Sequence, residues 1–186
     1  LSQSLNIPAV KMLQKFTAGN LLNLLNRIGF TTFDKPAGHY GLTLILGGGE
    51  TTLWELTGVY ASMSRVLGRY NTEKKYYRED FHPPRIIAHN DIPVTEESFP
   101  PLSASSIWLT YEALLKVSRP ESESGWQYFS SSAWLAWKTG TSFGFRDAWA
   151  IGTTPRYVIG VWAGNADGEG RPGLTGITAA APVLFE

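Results

Sequence analysis

The feature that most constrains this chain is a change of period partway along it. Up to about residue 125 the apolar residues recur at helical spacing, and after it they fall in short strand-like runs. In the first part Val10, Met12, Leu13 and Phe16 follow Asn6 and Pro8 at near-helical spacing, with the proline suited to a first turn. Asn20 is placed to cap a second helix carrying Leu21, Leu24, Leu25 and Ile28, and Gly29 to stop it. Thr52-Leu53-Trp54-Glu55 has a capping-box pattern. It predicts a helix with Leu56, Val59, Tyr60, Met63 and Leu67 on one stripe, ending at Gly68. A polar, proline-containing excursion follows from Tyr70 to Pro101, with a short hairpin expected near Arg85 to Val94. Ser103 should cap one more helix, turning Ile107, Trp108, Tyr111, Leu114 and Leu115 inward.

The second part predicts three strands. Ala133 to Trp137 runs into Lys138, Ala148 to Gly152 forms the second, and Tyr157 to Gly164 the third. Turns at Ser142 to Arg146 and Thr153 to Arg156 are too short for crossovers, so the strands form an antiparallel meander. After a glycine- and aspartate-rich loop, Thr178 to Ala181 starts a terminal helix. Helices first and a sheet after them make an α+β chain, with 1–125 mainly helical and 126–186 mainly sheet.

Composition removes several classes of function. Its 186 residues suffice for one domain, and a chain this size buries about 70% of its unfolded surface. The formal net charge is zero, which gives no support for a nucleic-acid partner. There is no cysteine, so disulfides, thiolate metal sites and cysteine nucleophiles are excluded. No run of about 18 apolar residues could span a membrane. The chain opens on Leu1-Ser2-Gln3, with neither initiator methionine nor signal peptide, and reads as cut from something longer. The seven tryptophans are expected mostly to serve core and strand packing.

Two short motifs carry chemistry. Lys138-Thr139-Gly140-Thr141-Ser142 closes an apolar strand. An ammonium there can shuttle protons or hold a carboxylate. The threonine hydroxyls can donate to that carboxylate, and Gly140 leaves the strand edge open to a substrate backbone. A strand-edge N–H is also a natural half of an oxyanion hole. Taken alone, the same residues fit a strand ending in a solvated lysine and a glycine turn. Ser4-Leu5-Asn6 sets a hydroxyl and an amide on one side of a tight turn before a helix, and alone it fits simple capping. Ser-x-Asn followed by Lys-Thr-Gly is the later two-thirds of a set whose first member is Ser-x-x-Lys.

With these motifs the chain resembles the transpeptidase domain of bifunctional class A penicillin-binding proteins, over nearly its whole length. The resemblance rests on Ser4 to Val10, on Leu44 to Gly48 with Thr52 to Leu56, and on Tyr60-Ala61. It continues in Ala136 to Ser142, Gly144 to Trp149, Gly160 to Asn165 and Asp167 to Gly176. It implies a partial β-lactamase/DD-transpeptidase-like fold: a helical subdomain, the antiparallel meander and a terminal helix. The family's first strands and nucleophile helix would precede Leu1. It implies that Ser4, Lys138 and Thr141 are catalytic, with Ser4 relaying a proton, Lys138 assisting proton transfer and the Thr141 N–H lining the oxyanion hole. Asn6, Thr139, Gly140 and Ser142 would bind substrate. No Ser-x-x-Lys occurs in the chain; Thr72-Glu73-Lys74-Lys75 is its nearest match, so the nucleophile serine is absent and the chain alone should be inactive.

The activity so implied is peptide cross-linking in peptidoglycan synthesis through a serine acyl-enzyme, inhibited by β-lactams. Stem peptides and β-lactams are the expected partners, and no cofactor is called for. The longer protein would carry a membrane anchor and a glycosyltransferase and act on the periplasmic side of the inner membrane. In the family the last meander strand pairs with the domain's first strand, so Tyr157 to Gly164 would offer an open edge for self-association. The alternative is a non-catalytic peptidoglycan-binding or scaffold domain on the same fold. A stand-alone β-lactamase fits less well, because no deacylating glutamate can be assigned. His39, His82 and His89 lack metal spacing, Gly47-Gly48-Gly49 lacks a following Lys-Ser/Thr, and Arg146-Asp147 suggests a turn ion pair. Asp167 and Glu169 leave a calcium site as a minor alternative.

Overall fold

The computed structural model describes residues 1–86, 97–120, 125, 128 and 134–186. Most of the hairpin expected at Arg85 to Val94, and with it His89, lies outside these residues, as does Trp126.

Helix α1 runs Asn6–Phe16 and α2 Ala18–Ile28. The cap of α2 is Thr17, whose hydroxyl accepts from Asn20 N–H, rather than Asn20 itself. Asn20 instead reaches back from the first turn to the Phe16 carbonyl at 2.7 Å. Gly29, at φ 114°, ends α2 as expected. A short α3 (Ala37–Tyr40) and a 3-10 helix (Gly41–Leu46) lead to α4, Leu53–Glu73. Thr52 caps α4 by accepting from Glu55 N–H. Glu55 does not return to the cap; its carboxylate accepts from Thr31, Thr32 and Thr51. The helix passes through Gly68 and stops only at Lys74, which adopts a left-handed conformation. A glycine inside a helix costs about 1 kcal/mol, too little to end a helix that is packed on both sides of it.

Helix α5 (Ala104–Leu114) is capped by Ser103 as expected. Ile107 and Leu114 are buried, but Trp108 is 55% exposed. Adjacent helical positions point about 100° apart, so Ile107 and Trp108 cannot share the buried face. Leu13, Ile28, Val59, Met63, Val66 and Ile107 form the core of this helical layer. Full burial of one such side chain is worth about 1.5–3 kcal/mol.

The sheet has three antiparallel strands in sequence order: β1 Ala136–Thr141, β2 Asp147–Thr153 and β3 Val158–Gly164. β1 begins later than expected; Trp134 and Leu135 precede it and the ladder extends through Thr141. The register runs Lys138↔Ile151↔Gly160 and Gly140↔Trp149↔Trp162. Directly paired residues share a face. That face receives α4: a side chain at Gly160 would meet Thr57 Oγ1 at 2.3 Å and Leu53 Cδ1 at 2.8 Å. The opposite face carries Trp137, Ala148, Ala150, Val161 and Ala163. A single π-helical turn (Gly176–Ala180) and α6 (Ala181–Phe185) cover it through Ala180, Ala181 and Leu184. Thr175 caps this segment, three residues before the expected start. The layers are therefore helix, sheet, helix.

The tryptophans depart from expectation. Of the six described, only Trp137 is buried; Trp149 is intermediate, and Trp54, Trp108, Trp134 and Trp162 are exposed. Arg146 and Asp147 form no ion pair; Asp147 accepts from the Trp162 indole at 2.9 Å instead. His39 is exposed beside Tyr40, and His82 is half-buried.

Candidate active site

Among the described residues strand β1 is paired on one side only, so it presents its other edge to them unpaired. Its five motif residues lie together there. Ser142 N–H donates to Asp147 O at 3.0 Å, and Asp147 N–H donates to Ser142 Oγ at 2.9 Å. These bonds close the hairpin and make residues 142 and 147 a hydrogen-bonded pair. Such pairs alternate along an antiparallel ladder, which turns the Thr139 and Thr141 main-chain N–H groups away from β2. The Thr141 N–H thus faces the open edge.

Lys138 and Gly140 lie on the sheet face that α4 covers, as the register above requires. Lys138 is half-buried, and its ammonium donates to the Thr139 carbonyl at 2.8 Å. Desolvation holds its pKa below the ordinary lysine value, which favours exchange of its proton. Gly140 is exposed; a side chain there would meet Trp149 first, at 3.5 Å. Thr139 and Thr141 point to the opposite face. The Thr141 hydroxyl accepts from Gly176 N–H at 3.0 Å and keeps its own O–H for donation. Ser142 Oγ likewise accepts within the turn and retains its proton.

Ser4 and Asn6 lie elsewhere in the chain, at the start of α1, and both are exposed. Neither caps the helix; Leu5 is the cap residue and no side chain fills that role. Ser4 adopts φ 52°, a left-handed conformation uncommon for a non-glycine residue, and its N–H donates to Leu1 O. Helix α1 packs on α2 and the 3-10 helix, in the layer that α4 joins to the Lys138 face. No hydrogen bond among the described residues links Ser4 or Asn6 to Lys138 through Ser142.

One residue of this region was not singled out from the sequence. Gly176 brings the π-helical turn against the strand: a side chain there would lie 2.5 Å from Gly140 O and 2.8 Å from Thr139 Cβ. Its signal was a glycine directly before the Ile177-Thr178-Ala179-Ala180-Ala181 run. Elsewhere, the Asn165–Gly173 loop is held by its own bonds, from Asn165 Nδ2 to Glu169 O and from Glu169 N–H to Asp167 Oδ1. No group of three metal-ligating side chains occurs among the described residues, and no described helix is long and apolar enough to cross a membrane.

No family model matches the sequence. Penicillin-binding protein 1C of Escherichia coli is 33% identical over 99% of this chain. Over its full length this chain matches penicillin-binding-protein sequence. Penicillin-binding protein 1A of Neisseria lactamica is 28% identical over 100% of it. The chain spans about a fifth of these relatives, 21% of the first and 23% of the second. A crystal structure of penicillin-binding protein 1A from Haemophilus influenzae superposes with a TM-score of 0.63, covering 95% of this chain and 31% of that one, at 21% identity. The α+β architecture is thus part of a penicillin-binding-protein fold.

Proposed function

We propose that this chain supplies one wall of the transpeptidase site of a longer penicillin-binding protein that cross-links peptidoglycan stem peptides. The observation that carries this reading is the open edge of β1, with Lys138 half-buried on one face, hydroxyls at Thr139 and Thr141, and an outward Thr141 N–H. In the proposed reaction a serine hydroxyl outside this chain attacks the carbonyl of the donor's penultimate D-alanine. Its proton passes to a neighbouring base, and the C–N bond to the terminal D-alanine breaks. The leaving amine takes up a proton through Ser4, and an acceptor amine then displaces the serine. Lys138 assists proton transfer and binds the substrate carboxylate together with Thr139 and Thr141. The Thr141 N–H stabilises the oxyanion, while Asn6, Gly140 and Ser142 line the peptide's path.

β-Lactams enter the same reading as acylating inhibitors. The longer protein is proposed to carry a linked glycosyltransferase and a membrane anchor and to work on the periplasmic face. Having no Ser-x-x-Lys, this chain alone is expected to take up no fluorescent penicillin, whereas the longer protein is labelled. A folded longer protein that takes up no label would favour the scaffold reading.

Strand β3 also leaves one edge unpaired among the described residues, with Ile159 and Trp162 exposed along it. Such an edge invites pairing, and we propose that the isolated chain self-associates there.

A further inference from the structure

On the far side of α4 from the helical core lies a solvent-open groove of about 520 Å³ between that helix, Pro84 and the β2–β3 turn. Its chemistry is not that of the β1 edge. Two aromatic rings stand open at it, Trp54 on α4 and Tyr157 at the end of the turn, 51% and 69% exposed. Three arginines line it, Arg65, Arg69 and Arg156, and no carboxylate does among the described residues. Arg69 is neutralised by Asp80 at 2.9 Å, and the second oxygen of Asp80 accepts from Tyr77 N–H. Among the described residues the Arg65 guanidinium donates to the Asp80 main-chain oxygen and Ser62 Oγ. Desolvation and the adjacent Arg69 charge hold its pKa below the ordinary arginine value although the Asp80 carboxylate pulls the other way, so a further anion beside it would be favourable. The Arg156 guanidinium makes no hydrogen bond or ion pair with any described residue; only its main-chain N–H is used, donating to Thr154.

A groove with three guanidinium charges against the single described carboxylate of Asp80, and with two open rings, is suited to a planar-faced anion. Guanidinium binds carboxylate in a two-pronged fork, and an aromatic ring packs against the C–H face of a sugar. We propose that this groove binds a cell-wall glycan sugar whose carboxylate carries no stem peptide, that free carboxylate held between Arg65 and Arg156 and the ring against Trp54 and Tyr157. The choice of a sugar rests on the cell-wall reading above; the charge and ring arrangement do not.

The test is a nuclear magnetic resonance titration of the 15N-labelled chain with N-acetylmuramic acid, with N-acetylglucosamine and lactate as the uncharged-ring and ringless controls. The expected result is a saturable shift confined to the Trp54 indole and the Thr154 to Tyr157 amides, at least tenfold weaker with either control. Arg65→Ala and Arg156→Ala should each weaken it at least tenfold. Arg156 is exposed on a turn, so its variant keeps the test valid if Arg65→Ala fails to fold. No saturable shift, an equal response to the neutral sugar, or unchanged binding in Arg156→Ala would overturn the proposal. Penicillin labelling of the longer protein should be unchanged by Arg156→Ala. Sugar binding in a longer protein that takes up no penicillin would uphold the groove while counting against the transpeptidase reading.

Discussion

Lys138 sets the first expectation at the scale of a single residue. Its ammonium is desolvated on the α4 face, where among the described residues it donates to the Thr139 carbonyl, and its pKa is lowered. The folded chain therefore binds this proton less tightly than the unfolded chain does. The folded state is penalised while the lysine is charged, and the penalty is relieved as pH rises through the folded pKa towards the ordinary lysine value. Lys138→Met should accordingly raise the melting temperature at neutral pH, and its advantage should shrink in alkali; thermal scans at several pH values check this. Gly176 sets a second residue-scale expectation. A methyl group there meets Gly140 O and Trp149 O below 2.7 Å, so Gly176→Ala should cost about 1–3 kcal/mol in urea unfolding. Residue roles were the least legible part of the sequence. Ser103, Thr52 and Gly29 cap or stop helices as their types suggest, because those roles need only local geometry. Asp80 did not show itself: it lies in a polar stretch, yet it is buried against Arg69, a partner 11 positions away.

Among the elements, α4, α5 and β2 are joined by a chain of hydroxyls. Ser64 Oγ lies 3.1 Å from Tyr111 OH and 3.0 Å from Thr153 Oγ1, and the Tyr111 hydroxyl is 3.1 Å from Tyr60 O. Burial beside it pushes the Tyr60 phenol up to about 12. A raised acid favours folding while neutral, and that contribution is lost as pH climbs from the ordinary tyrosine value near 10 through about 12. Stability should therefore fall over that window, and Tyr60→Phe should flatten the fall in alkaline unfolding curves. The open edge of β3 belongs to this scale too. Sedimentation should show a dimer or larger species that a lysine at Ile159 or Trp162 disperses; a monomer at high concentration would contradict the self-association. Element order and the meander were readable because period and turn length are local signals. Strand ends and the run of α4 past Gly68 were not, since the packing of distant layers decides them.

Taken whole, the molecule is a helical layer and a terminal helix on either face of a small sheet, with its two motifs on different layers. The motifs themselves were legible, because they are short and ordered along the chain. The side chains around them were not, because Gly176, Trp149 and the α4 face reach β1 only through tertiary packing. The central claim is that Lys138 works in acyl transfer at the β1 edge. It is tested most directly by the rate at which a penicillin acylates the longer protein, compared with its Lys138→Ala variant at matched folding. Loss of a positioned proton-transfer group should slow acylation by about 10²–10⁴-fold with the melting temperature held or raised. An unchanged acylation rate in a folded Lys138→Ala protein would contradict the account.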